Sequence, residues 1–234
     1  MYSMLEMLDL TSFRIMSAAV MLIIASCLDV RKREINDVLW IVFAAIAIIL
    51  IFFEPNFTTF IIGLGMSLII VPVVLLLWRI GIFGGADAFA LMVIAALTPQ
   101  IILTENTVTP FTVLTNAAIF SIVSLFSNLT RNLFSILQHN DIFEGFEETR
   151  LRKIFALFLG YRSANPKFSF PIEKTIDNHK KLNFALHNAE SAEFCNTKDS
   201  WVTPGIPYIL YISAGFFVQL FYGDVIFNII RNIL

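Results

Sequence analysis

The chain has 234 residues, 57% of them hydrophobic and 15% charged, with 24 Phe and a mean hydropathy of +0.78. Those proportions exclude an ordinary soluble domain and point to a protein that crosses a membrane several times. The net charge of −2 says little about partners, because the distribution of Lys and Arg sets the orientation of such a protein, and no face for nucleic acid is implied. Cys27 and Cys195 fall in an apolar run and a polar region respectively, and both read as free thiols.

No basic stretch followed by a small-residue cleavage site precedes the first apolar run, so that run reads as a retained span and not a removed signal peptide. It covers Leu10 to Leu28, about 28 Å of helix, with Arg14 expected to snorkel near its start. Asp29 ends the run and opens the polar stretch to Asp37. Val38 to Phe53 is the second span, with Asn36 or Asp37 as cap, and Glu54-Pro55-Asn56 ends it. Phe57 to Trp78 is the third and most continuous, with Gly63 and Gly65 as close-contact points and a kink expected at Pro72. After the turn Gly81-Ile82-Phe83-Gly84-Gly85, a fourth span runs from Ala86 to about Leu103, weakened by Pro99. Past the polar Thr104-Glu105-Asn106, a fifth runs from Pro110, a favourable first helical residue, to Phe126.

From Ser127 to Ser200 no run is long enough to cross a membrane. Within this polar stretch Glu144 to Leu159 reads as an amphipathic helix stopped by Gly160. Its apolar residues Phe146, Leu151, Ile154, Phe155 and Phe158 would lie on the bilayer surface, pack on the spans or make a plain core helix. Asn165 to Lys198 reads as loop and short helix. Trp201 suits the interfacial belt and leads into the last span, Ile206 to about Phe221. The expected fold is an all-α polytopic membrane protein with six transmembrane helices and a small α-containing cytosolic insert before the last. Residues 1–126 hold spans one to five, 127–203 the insert, and 204–234 the last helix.

Of 16 Lys and Arg, three lie between spans one and two, Arg79 between three and four, and ten between five and six, while the turns at 54–56 and 104–109 have none. The positive-inside rule therefore puts residues 29–37, the 79–86 turn and the insert in the cytoplasm, with both termini outside. Asp29 and Asp87 then both fall at the cytoplasmic ends of their spans.

An acid in a spanning helix costs about 2.5–3.5 kcal/mol at its centre by insertion scales, so such residues mark wet, functional places. Two neighbouring carboxylates cannot both ionise and titrate as a pair. One can act as general base on a water while the other polarises a carbonyl, as in aspartic proteases. The dipole of the helix that starts at Ala86 favours the anion on Asp87, and Gly84 and Gly85, with no Cβ, let a substrate backbone approach. Taken singly, each aspartate also fits a plain helix-end role. Glu34 reads as a solvated loop charge, Asp37 as a cap, Asp224 as structural. His139, His179, His187 and Cys195 match no compact zinc pattern, and no metal or cofactor is expected.

Gly84-Gly85-Ala86-Asp87 resembles the Gly-x-Gly-Asp motif of the intramembrane aspartyl proteases, with Ala86 where that motif has Gly. Asp29, Arg31, Ile35 and Asp37 form an Asp-x-Arg-x-x-x-Ile-x-Asp-like stretch that looks like the type IV prepilin peptidases. The archaeal preflagellin peptidase branch of that family is similar over nearly the whole chain, including its Trp-Val-Thr-Pro-x-Ile-Pro stretch, here Trp201 to Pro207. The resemblance implies a cell-membrane endopeptidase with Asp29 and Asp87 catalytic and Gly84, Gly85 and Ala86 at the substrate. Its partners would be precursors with prepilin-type signal peptides and the lipid bilayer. Bacterial relatives that also methylate carry a four-cysteine zinc element, which two distant cysteines cannot build. The other readings are a proton-coupled transporter, which would want acids near the midplane, and a non-catalytic platform for filament assembly.

Overall fold

The computed structural model describes residues 2–99, 101–103, 106–108, 110–176, 179–184 and 193–233. These are 65% helical. In chain order the elements are α1 (Tyr2–Lys32), α2 (Val38–Ile51), α3 (Phe57–Ser67), α4 (Ile70–Arg79), α5 (Gly85–Leu97), β1 (Ile101–Leu103), β2 (Asn106–Val108) and α6 (Pro110–Leu137). After them come α7 (Arg150–Leu159), β3 (Tyr161–Ser163), β4 (Ser169–Pro171), β5 (Glu173–Ile176), β6 (His179–Leu182), β7 (Ser200–Pro204), α8 (Tyr208–Tyr222) and α9 (Val225–Ile233). Among the described residues Leu10–Lys32, Phe57–Arg79 and Pro110–Leu137 are long and apolar enough to cross a membrane, and α2, α5 and α8 are shorter apolar helices. The protein is thus a membrane protein. It divides into two compact units, residues 1–120 with 207–234, and residues 121–206.

The first unit is built around α5. Ala88, Ala90, Leu91, Val93, Ile94, Ala95 and Leu97 of this helix are buried, and α1, α2, α3, α4 and α8 all pack on it. Its alanines explain why: side chains ending at Cβ let neighbouring backbones come close, which is how helices gain packing energy in lipid. The outer helices carry exposed apolar residues, among them Ile41, Ile48 and Ile49 of α2, Ile62 and Met66 of α3 and Leu76 of α4.

Several boundaries differ from the sequence reading. α1 continues through Asp29 to Lys32 and stops where Arg33 takes a left-handed φ of 58°. Asn36, and not Asp37, makes the side-chain bond at the start of α2, accepting from the Val38 amide at 2.9 Å. The third span is broken into α3 and α4 at Leu68 and Ile69, one turn before Pro72, whose ring clashes with the carbonyl four residues earlier. The fourth ends at Leu97, because the residue before Pro99 is driven out of the helical region, and Thr98 has φ −125° and ψ 60°. Ile101–Leu103 then pairs with Asn106–Val108 as a β-ladder; Thr104 and Glu105 lie outside the described residues. α6 is one unbroken helix of 28 residues, well past Phe126.

Arg14 does not snorkel. It is buried, with its Nε donating to Glu54 Oε1 at 2.8 Å, Nη2 2.8 Å from the same oxygen, Nη1 donating to the Leu97 carbonyl at 3.3 Å, and its guanidinium 4.5 Å from the Phe60 ring centroid. A charge held in hydrocarbon needs a partner nearby, and Glu54 supplies it. The staple joins α1, the α2–α3 turn, α3 and the end of α5.

The second unit is α+β, so the chain is not all-α. β7 lies between β3 and β4 in an antiparallel sheet, Tyr161 opposite Val202 and Ser169 opposite Pro204. β5 and β6 form a hairpin with Glu173 opposite Leu182, where loop and short helix were expected. Trp201 is fully buried in this unit and does not sit at an interface. Its Nε1–H donates to the Ile142 carbonyl at 2.7 Å, and its ring stacks on Phe143 with centroids 4.9 Å apart. The helix expected from Glu144 begins only at Arg150. Gly145 has φ 79° and Thr149 caps α7, accepting from the Arg152 amide at 3.4 Å. Phe146 is accordingly a core residue and not part of the helix face. Gly160 ends α7 where a Cβ would meet the Val202 carbonyl oxygen at 2.4 Å and Ile172 Cδ1 at 2.7 Å.

Candidate active site

Three helix ends of the first unit converge on the two aspartates. α4 runs into a turn at Gly81, whose φ of 79° only glycine takes without strain. The Gly81 amide bonds back to Trp78 and the Ile82 and Phe83 amides to Leu77. That reversal buries Phe83 and delivers Gly84 as the residue before α5. Asp87 is the third residue of α5, and its Oδ2 accepts from the Gly84 amide at 3.1 Å, half of a capping box. Gly84 has an ordinary extended φ of −75°. Its lack of a side chain matters for space: a Cβ there would lie 3.4 Å from Asp87 Oδ2. Gly85 and Ala86 form the first turn of α5 and are partly exposed.

Asp29 arrives from the opposite polarity, in the last turn of α1. A carboxylate there faces the negative end of the helix dipole. Two partners offset this: the nearby Arg33 charge, and the Ile209 amide at the start of α8, which donates to the Asp29 carboxylate. α8 is held antiparallel to α1 one turn deeper by the Ser26 and Ser213 hydroxyls, 2.7 Å apart. Ser213 Oγ also lies 2.9 Å from the Ile209 carbonyl oxygen and 3.3 Å from that of Leu22, its one hydroxyl hydrogen serving one of them while the Ser26 hydroxyl donates to it. The same α8 terminus presents Tyr208, whose ring centroid is 5.0 Å from that of Phe83, and Tyr208 lies within electrostatic reach of Asp87. Asp29 and Asp87 are themselves within electrostatic reach of each other.

The structure thus brings Asp29, Asp87, Gly84, Gly85 and Ala86 to one end of one unit, with the Arg14 staple at the other. Tyr208, Ser26 and Ser213 were not singled out in the sequence. Tyr208 follows Pro207 directly, which was the available signal; the serine pair joins residues too far apart in the chain to have one. Glu34 lies in the turn between α1 and α2, and Asp37 directly precedes α2. Asp224 stands before α9, its carbonyl accepting from the Asn228 amide at 3.0 Å. Among the remaining candidates His179 Nδ1 is 3.1 Å from Glu147 Oε1, Cys195 is buried and its thiol donates to the Thr197 carbonyl at 3.7 Å, and His187 lies outside the described residues.

Apolar helices of membrane-crossing length, with two acids gathered at their ends, define an integral membrane protein with a polar site at one end of its helical unit. Two family models match the chain: the type IV leader peptidase family over residues 16–126, and the archaeal peptidase A24 C-terminus, type II, over residues 135–225. The chain is thus similar to the type IV leader peptidase family over residues 16–126 and to the archaeal C-terminal type over most of the rest. It is 24% identical to the preflagellin peptidase of Methanocaldococcus jannaschii, over 92% of this chain and 96% of that one. It is 25% identical to that of Methanococcus maripaludis, over 87% and 92% of the two chains, and 24% identical to that of Methanococcus voltae, over 89% and 94%.

Proposed function

We propose that the chain is a membrane aspartic endopeptidase that removes the basic leader from archaellin- and pilin-like precursors at the cytoplasmic face of the membrane, just before their hydrophobic helix. One observation carries the reading: Asp29 and Asp87, from helices of opposite polarity, share the electrostatics of one site in a chain similar to the leader peptidase family. The pair holds one proton between them. The ionised member takes a proton from water as the water oxygen attacks the scissile carbonyl, and the protonated member donates to the carbonyl oxygen. Collapse of the tetrahedral intermediate then breaks the C–N bond, with the proton passed to the leaving amine. Gly84, Gly85 and Ala86 receive the extended substrate backbone. No metal or cofactor takes part.

Six spans carry this site in our reading: α1, α2, α3 with α4, α5, the first part of α6, and α8. Residues 127–203 form the cytosolic insert. The distribution of basic residues supports this orientation, and a precursor anchored by its own membrane helix would present its leader at the depth of Asp29 and Asp87.

The test is cleavage of a prepilin-type precursor by membranes containing the protein, beside Asp29→Asn and Asp87→Asn at equal abundance and a chelator control. The reading expects cleavage by the unaltered protein, with or without chelator, and none by either variant. Full cleavage by one of the variants would overturn it.

A further inference from the structure

α7 faces its own unit with Leu157, which packs on the core, and with the half-buried Lys153, whose amine sits 5.3 Å from the Phe143 ring centroid; Arg152, 45% exposed, flanks that side, donating to the Leu182 carbonyl and pairing with Glu148 at 2.7 Å. Ala156, on the same side, is fully buried. Its outward side is apolar. Leu151, Ile154, Phe155 and Leu159 are 69%, 51%, 60% and 38% exposed, at the i, i+3, i+4, i+8 spacing of one stripe. A helix packed on a water-soluble domain has a polar outward side.

α6 says what covers that stripe. Asn128 and Asn132 of α6 are buried and donate to the carbonyls that end α7: Phe158 at 3.0 Å, Leu157 at 2.9 Å and Gly160 at 2.7 Å. α7 is therefore fixed at a set height on α6. Asn128 lies eighteen residues past Pro110 in this unbroken helix, about 27 Å along its axis, close to the roughly 30 Å of a hydrocarbon core. The exposed apolar residues Ile122, Val123 and Phe126 lead up to that height, and Leu133, Phe134 and Leu137 continue beyond it. At the start of α7 Arg150 is exposed beside Leu151, the basic flank of an interfacial helix.

We propose that α7 lies in the headgroup boundary of the bilayer, with Leu151, Ile154, Phe155 and Leu159 inserted among the upper acyl chains and Arg150 at the lipid phosphates. The contact anchors α7 itself to lipid, and it does not depend on the chemistry at Asp29 and Asp87.

The test places an environment-sensitive fluorophore on the full chain in vesicles of mixed phosphatidylcholine and phosphatidylglycerol. The labelled sites are Leu151→Cys, Phe155→Cys and, as a polar site of the same unit, Lys198→Cys, in a background with Cys27→Ala and Cys195→Ala. The proposal expects blue-shifted emission, quenching by lipid nitroxides near the headgroups and loss of iodide access at 151 and 155. Residue 198 stays water-accessible. Iodide access at 151 and 155 equal to that at 198 overturns it. So does protection that disappears as the protein is diluted in lipid, which assigns the stripe to a second copy, or protection that arises only when a precursor is added, which assigns it to a polypeptide. Two labelled sites are used so that a local disturbance at one does not decide the outcome.

Discussion

The Arg14–Glu54 pair makes an asymmetric prediction. Arg14 has 2% of its side chain exposed and Glu54 has 15%. Glu54→Ala strands a buried guanidinium, whose remaining partners are the Leu97 carbonyl and the Phe60 ring. Removing one partner of a buried ion pair costs about 3–5 kcal/mol. Arg14→Met strands a carboxylate that already touches water and can hydrate further; its main penalty is the unpaired Leu97 carbonyl and a weakened acid environment, about 1–3 kcal/mol. Glu54→Ala is thus the more damaging change. The double variant loses less than the sum, with a coupling of at least about 1 kcal/mol. Unfolding of the purified protein in detergent by dodecyl sulfate, followed by circular dichroism, measures all three. If Arg14→Met proves the worse single change, or the two add within about 0.5 kcal/mol, the burial and pairing argument fails. The pair lies fifteen residues from Asp29 on α1, about 22 Å along the helix, so the folded fraction of each variant should cut precursor at the parental rate.

Three other changes follow from single contacts. Gly215 sits where a Cβ would meet the Val113 carbonyl oxygen at 2.5 Å and the Ala117 amide at 2.9 Å. Backbone cannot yield, so Gly215→Ala should cost near the top of the roughly 1–3 kcal/mol range for overpacking and slow cleavage by shifting α8; an unchanged unfolding midpoint would refute it. Asp199 has its carboxyl held below the usual range by Arg162, whose Nε and Nη2 donate at 2.8 and 2.7 Å. A lowered acid stabilises above its unfolded value and loses that contribution as pH falls through the folded one, so Asp199→Asn should destabilise at neutral pH and match the parent in strong acid. The pair is exposed and worth at most about 1 kcal/mol, and Asn tolerates the φ of 53°. Thermal melts at several pH values check it, and a gap independent of pH would sink the assignment. Ala86→Gly, at a partly exposed first-turn position, should retain cleavage and cost less than about 1 kcal/mol; total loss of cleavage would mean that Ala86 does more than tolerate the turn.

Prolines and glycines were legible because their effects are local. Pro72, Gly81 and Gly160 each end or break a helix within a turn of where the sequence puts them, whereas Pro99, expected only to weaken the fourth span before Leu103, ends it at Leu97. The aspartates were legible because acids beside apolar runs are rare. Arg14 was misread because its partner is forty residues away, and an arginine near a span end looks the same whether it snorkels or is paired. Trp201 has the sequence context of an interfacial belt, and only the pairing of β7 between β3 and β4 takes it inside. The strands at 169–182 were missed because Lys174, Lys180 and Lys181 obscure any alternation, and strands of three or four residues leave little pattern to read.

α5 has a further consequence through its length. Its 13 residues make a rod of about 20 Å, against about 34 Å for the 23-residue stretch of α3 and α4 and roughly 30 Å for the lipid tails. α2 and α8, with 14 and 15 residues, fall short of the tails too, while Leu10–Lys32 of α1 and the α3–α4 stretch are long enough to reach across, so the unit pairs long helices with short ones. In the proposed reading, the short α5 leaves water that much less hydrocarbon to cross before it meets the Asp87 carboxylate at its end.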